Sequence, residues 1–273
     1  MAFLKDAGSC RAIGASRHGG GPDGLTLDVC DARQLAEALR QVRPDVILHF
    51  AGNYSTDFEQ AFAANVNASR LLLEAVQQQG LRTRVVLVGS AAEYGAVQPE
   101  ENPIREDHAL NPVSLYGLTK AWQSQLARLY ALRGADVLVA RIFNAQGPGI
   151  SEQLFIGRVQ QQIDAVLSGR QSEIRVGPLS AVRDYISTAE AARQVAAIAA
   201  CGESGEVYHV ASGVPVTMRE VLARQLARHG LDFSLVQEAA EFSNRTGYDV
   251  PAIYADTTKT ARVLAAFDAA ARV

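Results

Sequence analysis

The chain has 273 residues, of which 48% are hydrophobic and 20% charged, as is typical of one large globular domain or of one domain with a smaller lobe. Its net charge of −3 offers no basic surface to nucleic acid, and no apolar run reaches the ~20 residues that span a bilayer. The three cysteines show no metal or redox spacing, and the first residues lack the apolar core of a signal peptide, so we expect a cytoplasmic protein without a metal site.

Strand-like apolar runs alternate along the chain with segments of helical length, which predicts βαβ units and a parallel sheet. In the first half we expect strands at 10–15, 25–29, 45–51, 84–89 and 136–143, and helices at 32–42, 57–79 and 113–133. After Gly147-Pro-Gly149 the regular alternation of predicted strands and helices changes. Helices at 154–167, 188–200 and 217–229 and strands at 173–176 and 207–211 are expected there, followed by a looser tail. The pattern predicts a doubly wound α/β domain with a smaller C-terminal lobe.

The most informative short segment is Tyr116-Gly-Leu-Thr-Lys120, because Lys is rare among the 26 basic residues of this chain. A Tyr and a Lys four positions apart share one face of a helix, with Cβ atoms about 5–6 Å apart. At that separation the ammonium of Lys120 would favour the phenolate and lower the pKa of Tyr116. Tyr116 is therefore a candidate general acid and base.

Small or polar residues stand where several predicted strands end. In open α/β sheets, ligands bind beyond the carboxyl ends of the strands. We therefore expect these residues to border one crevice together with the helix at 113–133. They are Ala51, Gly52, Ser90 and Asn144.

Longer segments carry a family resemblance. They are Pro44-Asp-Val-Ile-Leu-His-Phe-Ala-Gly52, Asn65-Val66 with Leu72-Leu-Glu-Ala75, Gly89-Ser-Ala-Ala-Glu-Tyr-Gly95, Tyr116 to Lys120, Arg141-Ile-Phe-Asn-Ala-Gln-Gly-Pro-Gly149 and Val176 to Tyr185. In this order they resemble the extended short-chain dehydrogenase/reductase family, which remodels nucleotide sugars. The resemblance implies a Rossmann-like doubly wound parallel sheet, with a dinucleotide-binding domain over 1–147 that also receives about 178–212. Residues 148–273 would form mainly a substrate-binding lobe.

The resemblance also implies hydride transfer at a sugar carbon and assigns the site residues. Tyr116 would exchange a proton with the substrate oxygen, Ser90 would orient that oxygen, and Lys120 would support Tyr116 and hold the nicotinamide ribose. The implied cofactor contacts are Asp28 and Val29 at the adenine, and Ala51, Gly52, Asn65, Tyr116 and Lys120. The implied contacts to a nucleotide-diphosphate sugar are Glu93, Asn144, Arg183 and Arg245. A homodimer formed through the helices at 57–79 and 113–133 is implied as well.

The residues after Ser90 bear on the reaction. Dehydratases of this family need an acid directly after the catalytic Ser or Thr, and Ala91 and Ala92 stand there. The segments 93–107, 143–149 and 174–177 are similar to the reductases of GDP-4-keto-6-deoxy-D-mannose. A 4-keto reductase is therefore the leading interpretation. The alternatives are a nucleotide-sugar epimerase and a degenerate sugar-nucleotide-binding module without catalysis.

The first predicted strand ends at Ala15-Ser16-Arg17, which bears on the cofactor. No acid follows that strand to accept a hydrogen bond from a ribose 2′-hydroxyl, and an Arg suits a 2′-phosphate. Arg17 therefore favours NADP, with NAD as the alternative.

One expected segment is absent from the sequence. The family resemblance calls for an opening strand and a Gly-x-x-Gly-x-x-Gly turn that holds the cofactor pyrophosphate at a helix N-terminus. Gly19-Gly20-Gly21 follows the wrong strand for this role. We expect the stated start to lie inside a longer reading frame. Without that strand the sheet should divide into two halves with unpaired edges, and cofactor binding should be weak.

Overall fold

The structure is a computed structural model that describes residues 10–19, 24–243 and 248–270. Its centre is a parallel sheet of four strands in the order β3 (Val46–His49), β4 (Arg84–Ser90), β5 (Val137–Ile142) and β9 (Val207–Val210). All the strand pairs in this sheet are parallel. The predicted α/β architecture is confirmed.

Helices cover both faces of the central sheet. One face carries α1 (Ala32–Val42), α3 (Ala68–Gln78) and α4 (Leu115–Ala131). The other face carries α6 (Thr188–Cys201) and α8 (Thr258–Ala270). A short helix, α2 (Phe58–Phe62), runs into α3 through a π-helical turn at Ala63–Asn67.

Alternation along the strands explains the two layers. Val85 and Leu87 of β4 point into the core beneath α1, α3 and α4, whereas Val86 between them points toward α6 and α8. Successive strand residues face opposite sides of a sheet, so a strand covered on both faces is apolar throughout. This is why β4 and β5 read as continuous apolar runs.

The C-terminal half supplies two smaller sheets. Strand β8 (Val182–Ser187) pairs with β6 (Asn144–Gln146), β10 (Pro215–Thr217) and β12 (Ala252–Ile253). Strand β7 (Ile174–Val176) pairs with β11 (Val236–Glu238). Helices α5 (Phe155–Leu167) and α7 (Met218–Arg228) pack with β7 in a separate hydrophobic core. The looser tail was a wrong prediction, because it contains α8.

The N-terminal strands are shorter than predicted. β1 (Ala15–Ser16) and β2 (Leu25–Thr26) pair only with each other, and β3 is an edge strand of the central sheet in the part of the chain that is described. The expected division into two half-sheets is therefore confirmed. Beside the open edge, Phe50 is 59% exposed. Among the described residues, no helix is both long and apolar enough to cross a membrane.

Candidate active site

Ser90 lies at the carboxyl end of β4 and is held by the short helical turn that follows it. Its backbone N–H donates to Glu93 Oε1 at 2.7 Å, and its Oγ accepts from the backbone N–H of Ala92 at 3.2 Å. This reciprocal capping box fixes the serine. The Ser90 hydroxyl stands next to the phenol of Tyr116, whose pKa it acts to lower.

Tyr116 stands in the first turn of α4, beside this serine. Burial raises the pKa of its phenol far above the usual range, a contact with the Tyr54 hydroxyl raises it further, and the hydrogen bond from Ser90 opposes both. This net direction is opposite to the lowering by Lys120 that the sequence predicts. The phenol of Tyr116 is a neutral group with a proton to donate.

Lys120 is buried one turn further along α4. Its Nζ donates to the backbone carbonyl of Val88 at 2.5 Å. Burial lowers the pKa of Lys120 to about 8, while the negative charge of Glu93 favours the ammonium. The ammonium thus faces the backbone of β4.

Glu93 is not a substrate contact, contrary to the sequence prediction. It is fully buried, and its Oε2 accepts from Arg141 Nε and Nη2 at 3.1 and 2.8 Å and from Ser124 Oγ at 2.6 Å. With Oε1 bound to Ser90, both oxygens are occupied inside the protein. The carboxylate therefore stabilises the turn that carries Ser90 and has no free oxygen for a ligand.

The network continues behind Glu93. Arg141 Nη1 donates to Tyr94 Oη at 2.6 Å, and Tyr94 Oη lies 2.5 Å from His209 Nε2. His209 Nδ1 faces the carbonyl oxygen of Asp256 at 2.9 Å, an atom that can only accept, so Nδ1 carries the proton. A neutral ring then leaves Nε2 as an acceptor for the Tyr94 hydroxyl. Burial lowers the pKa of His209 to about 4, which keeps it neutral.

Asn65 also has an internal role instead of the predicted cofactor contact. Its Oδ1 accepts from the backbone N–H of Asn53 at 2.7 Å, and its Nδ2 donates to the carbonyl of Asn53 at 3.0 Å and to Thr119 Oγ1 at 2.8 Å. The side chain is fully buried. It fastens the loop after β3 to helix α4. Ala51 and Gly52 lie in that loop, as expected.

The residues predicted to hold the substrate come together on neighbouring strands. Asn144 pairs in register with Tyr185, two residues beyond Arg183 on β8. Arg183 is nearly buried, and its Nη2 donates to Asp249 Oδ1 at 3.0 Å. Asn144 Nδ2 donates to the carbonyl of Asp184 at 3.0 Å. Arg245 lies outside the described residues.

The residues predicted to hold the adenosine end lie around β1 and β2. Arg17 is exposed in the turn after β1. Asp28 and Val29 follow β2, where Asp28 Oδ1 accepts from the backbone N–H of Cys30 at 2.9 Å. Val29 packs against the core beneath α1.

A nicotinamide nucleotide is the cofactor that the resemblance implies, and the residues near Tyr116 fit it. Gly52 lies in the loop after β3, where a Cβ would stand 3.1 Å from Asn65 Oδ1. A residue without a side chain allows a ligand to approach the backbone closely, which suits a flat ring.

Tyr54 is a site residue that the sequence did not reveal. Its ring stacks on Tyr116, with 3.9 Å between the ring centroids and 23° between the planes. It occupies the irregular loop between β3 and α2, which has no periodicity to read. Its place directly beyond a predicted strand end was the only available signal.

Comparison with known proteins agrees with this fold. Residues 20–267 match the family model described as GDP-mannose 4,6 dehydratase. The GDP-6-deoxy-D-mannose reductase of Pseudomonas aeruginosa is 27% identical over 72% of this chain and 67% of its own length. UDP-glucose 4-epimerases from Rhizobium are also among the relatives.

Solved structures show the same architecture. The dTDP-glucose 4,6-dehydratase DesIV of Streptomyces venezuelae, determined with NAD bound, has a TM-score of 0.77 and 29% identity over 89% of this chain and 74% of its own. RMD of Pseudomonas aeruginosa, determined with NADPH, has a TM-score of 0.79 over 87% of this chain and 80% of its own, and at 22% identity it supports the fold alone. The chain belongs to the GDP-mannose 4,6 dehydratase family, within the extended short-chain dehydrogenases/reductases.

Proposed function

We propose that this protein reduces the 4-keto group of a nucleotide-diphosphate 4-keto-6-deoxy sugar, of the GDP-4-keto-6-deoxy-D-mannose type. The observation that carries this proposal is the placement of the Ser90 hydroxyl next to the Tyr116 phenol at the carboxyl end of β4, with Lys120 one turn further along the same helix. A ketone reduction needs a proton donor and a second hydroxyl to orient the carbonyl oxygen. These two side chains supply both.

The proposed reaction uses the chain's own groups as follows. Ser90 and Tyr116 hold the ketone oxygen with their two hydroxyls, and Tyr116 transfers its proton to that oxygen as negative charge develops on it. NADPH, when bound, supplies the hydride. Lys120, whose ammonium lies beside the backbone of β4, stabilises the phenolate that remains.

The surroundings of Ser90 favour reduction over dehydration. Loss of water from a hexose needs an acid and a base at the reacting carbons, and Ala91 and Ala92 can provide neither. Glu93 is the first carboxylate after Ser90 in the sequence. Its Oε1 is bound to Ser90, and its Oε2 is bound to Ser124 and Arg141. No acid in this turn is available to expel a hydroxyl.

We further propose how the ligands are held. Arg183 and Arg245, with Asn144, would bind the diphosphate and sugar, because planar guanidinium forks suit phosphate oxygens. Arg17 would accept the 2′-phosphate of NADPH, which favours NADP over NAD. Residues 1–147 with about 178–212 would hold the cofactor, and 148–273 mainly the substrate.

The protein is also proposed to form a homodimer through α2, α3 and α4. Phe58 and Trp122 lie edge to face at 6.2 Å on this surface, and Leu129 is 43% exposed on the same helix as Trp122. Sedimentation at increasing concentration tests this. A Leu129→Asp variant should shift the protein to monomers, and an unchanged mass would contradict this interface.

The decisive assay is oxidation of NADPH with GDP-4-keto-6-deoxy-D-mannose, followed by identification of the sugar product. Wild type should form the 4-hydroxy sugar, and Tyr116→Phe should not. Tyr130→Phe is the matched control, because this tyrosine lies on the same helix with its hydroxyl bound to Glu74. Epimerised sugar without NADPH consumption would support the epimerase instead, and ligand binding without any turnover would support a non-catalytic module.

A further inference from the structure

We propose that Tyr54 is a positioning residue for Tyr116: its stacked ring fixes the direction of the phenol for proton transfer. This inference rests on the proposed reductase function. It adds a fourth residue to Ser90, Tyr116 and Lys120.

The stacked rings of Tyr54 and Tyr116 carry the argument. Tyr54 and Tyr116 are nearly parallel, at 23°, and their centroids are 3.9 Å apart. Aromatic pairs at this separation attract one another beyond the area they bury. Tyr116 lies in the first turn of α4, where a ring without such a neighbour could change rotamer. The contact therefore restricts the direction in which its hydroxyl points.

The loop is built to hold Tyr54 in this position. On one side, Asn53 is bound through both its N–H and its carbonyl to the buried side chain of Asn65. On the other side, the N–H of Ser55 donates to Asn53 Oδ1 at 2.8 Å. The backbone on both sides of Tyr54 is thus fixed.

The same anchor reaches the helix that carries Tyr116. Asn65 Nδ2 donates to Thr119 Oγ1 at 2.8 Å, and Thr119 is three residues after Tyr116 on α4. The loop and the helix are therefore joined twice, through the stacked rings and through this amide. Any displacement of α4 relative to the loop must break both links.

The test separates the ring from the hydroxyl. Tyr54→Leu removes the ring and should lower kcat about ten- to hundredfold, because small misplacements of a reacting group cost this much. Tyr54→Phe keeps the ring and should restore kcat to within about twofold of wild type.

Two controls show that Tyr54 acts through Tyr116. In a Tyr116→Phe background, Tyr54→Leu should cause no further loss of kcat, and Tyr130→Phe should change nothing. A Tyr54→Leu variant with wild-type kcat, or a Tyr54→Phe variant as impaired as Tyr54→Leu, would overturn the proposal. Because the Tyr54 side chain is 48% exposed, both variants should fold.

A measurement without substrate distinguishes this inference from the proposed function. In protein labelled with ¹³C at the tyrosine ζ-carbons, Tyr116→Phe identifies the Tyr116 resonance. That resonance should move in Tyr54→Leu, because the ring current of the stacked neighbour is lost, and should stay in place in Tyr130→Phe. An unmoved resonance refutes the positioning role. Inactivity of wild type toward ketosugars, with the resonance shift present, would refute only the reductase.

Discussion

Two polar clusters meet at the carboxyl end of β4 and differ in how they use their hydrogen bonds. The front cluster consists of Tyr54, Ser90, Tyr116 and Lys120, of which Tyr54 is half exposed. The back cluster, Glu93, Tyr94, Arg141 and His209, is at most 2% exposed, and its members bind one another. A protonated hydroxyl with exchangeable partners can serve a reaction, whereas a saturated ion pair can only support one. The reacting and the supporting residues are therefore distinguished by their hydrogen-bond partners and not by their residue types.

The largest expected effect breaks the front cluster. Tyr116→Phe removes the proton donor and should lower kcat by about 10²–10⁴, the usual contribution of general acid catalysis. Because the variant keeps the ring that stacks on Tyr54, the midpoint of urea unfolding should stay close to that of wild type. Steady-state kinetics and urea unfolding on the same preparation check both expectations. A variant that retains its kcat would remove Tyr116 from the reaction.

The next effect breaks the back cluster. Arg141→Met leaves the buried carboxylate of Glu93 without its cation and should lower the free energy of unfolding by about 3–5 kcal/mol. The double variant Arg141→Met/Glu93→Gln should recover much of this loss, because no uncompensated charge remains. Urea unfolding measures both. Equal stability of the single and double variants would show that the ion pair does not govern this region.

The pH dependence of stability provides a further comparison, because each cluster has one buried histidine in or beside it. Burial lowers the pKa of His49, on β3 beside Lys120, and of His209 to about 4. Between about pH 6.5 and 4 the unfolded chain binds more protons than the folded one, so stability is lost as the pH falls. The loss should be about 3 kcal/mol for each histidine.

The two histidines should respond differently to replacement. His49 Nε2 has no hydrogen-bond partner among the described residues, so His49→Leu should keep stability at neutral pH and remove about half of the pH dependence. His209→Leu should be less stable at neutral pH, because the Tyr94 hydroxyl and the Asp256 carbonyl lose a partner. Urea unfolding across this pH range tests both variants. An unchanged pH slope in His49→Leu would contradict the assignment.

The smallest effect concerns the contact between the clusters. Gly117 follows Tyr116 directly, and a Cβ at this position would stand 2.4 Å from the carbonyl oxygen of Ala92. Gly117→Ala should therefore push α4 away from the turn after Ser90 and cost about 1–3 kcal/mol of stability. Because Tyr116 moves with the helix, kcat should fall as well. Gly134→Ala, where nothing lies within 4 Å of the added Cβ, is the matched control for kcat.

Much of the central sheet could be predicted from the sequence, because a strand buried on both faces is apolar throughout and several helices begin at a capping residue. The helix at Ala32–Val42 was predicted at its observed ends. The strands that pair with β8 were missed because each has six residues or fewer and finds its partners far along the chain, as β12 does. Such pairings follow from tertiary packing and leave no periodic signal.

The candidate site divides in the same way. Ser90 and Tyr116 could be brought together from the sequence, since one ends a parallel strand and the other begins the next helix. Glu93 and Asn65 were assigned to ligands because polar residues stood near the crevice. A short helical turn and a π-helical turn direct these two side chains into the protein. The direction of a side chain in such a turn depends on how the turn packs against the rest of the protein, which the local sequence pattern does not predict.

The π-helical turn at Ala63–Asn67 has a consequence for how the chain tolerates changes of length. Such a turn contains one residue more than an α-helix would need, and it often occurs at functional sites. Deleting one residue here would leave a regular helix, but it would rotate the preceding segment about the helix axis by about 100°. Asn65 could then no longer reach both Asn53 and Thr119. A single deletion far from the reacting hydroxyls would release the loop that carries Tyr54.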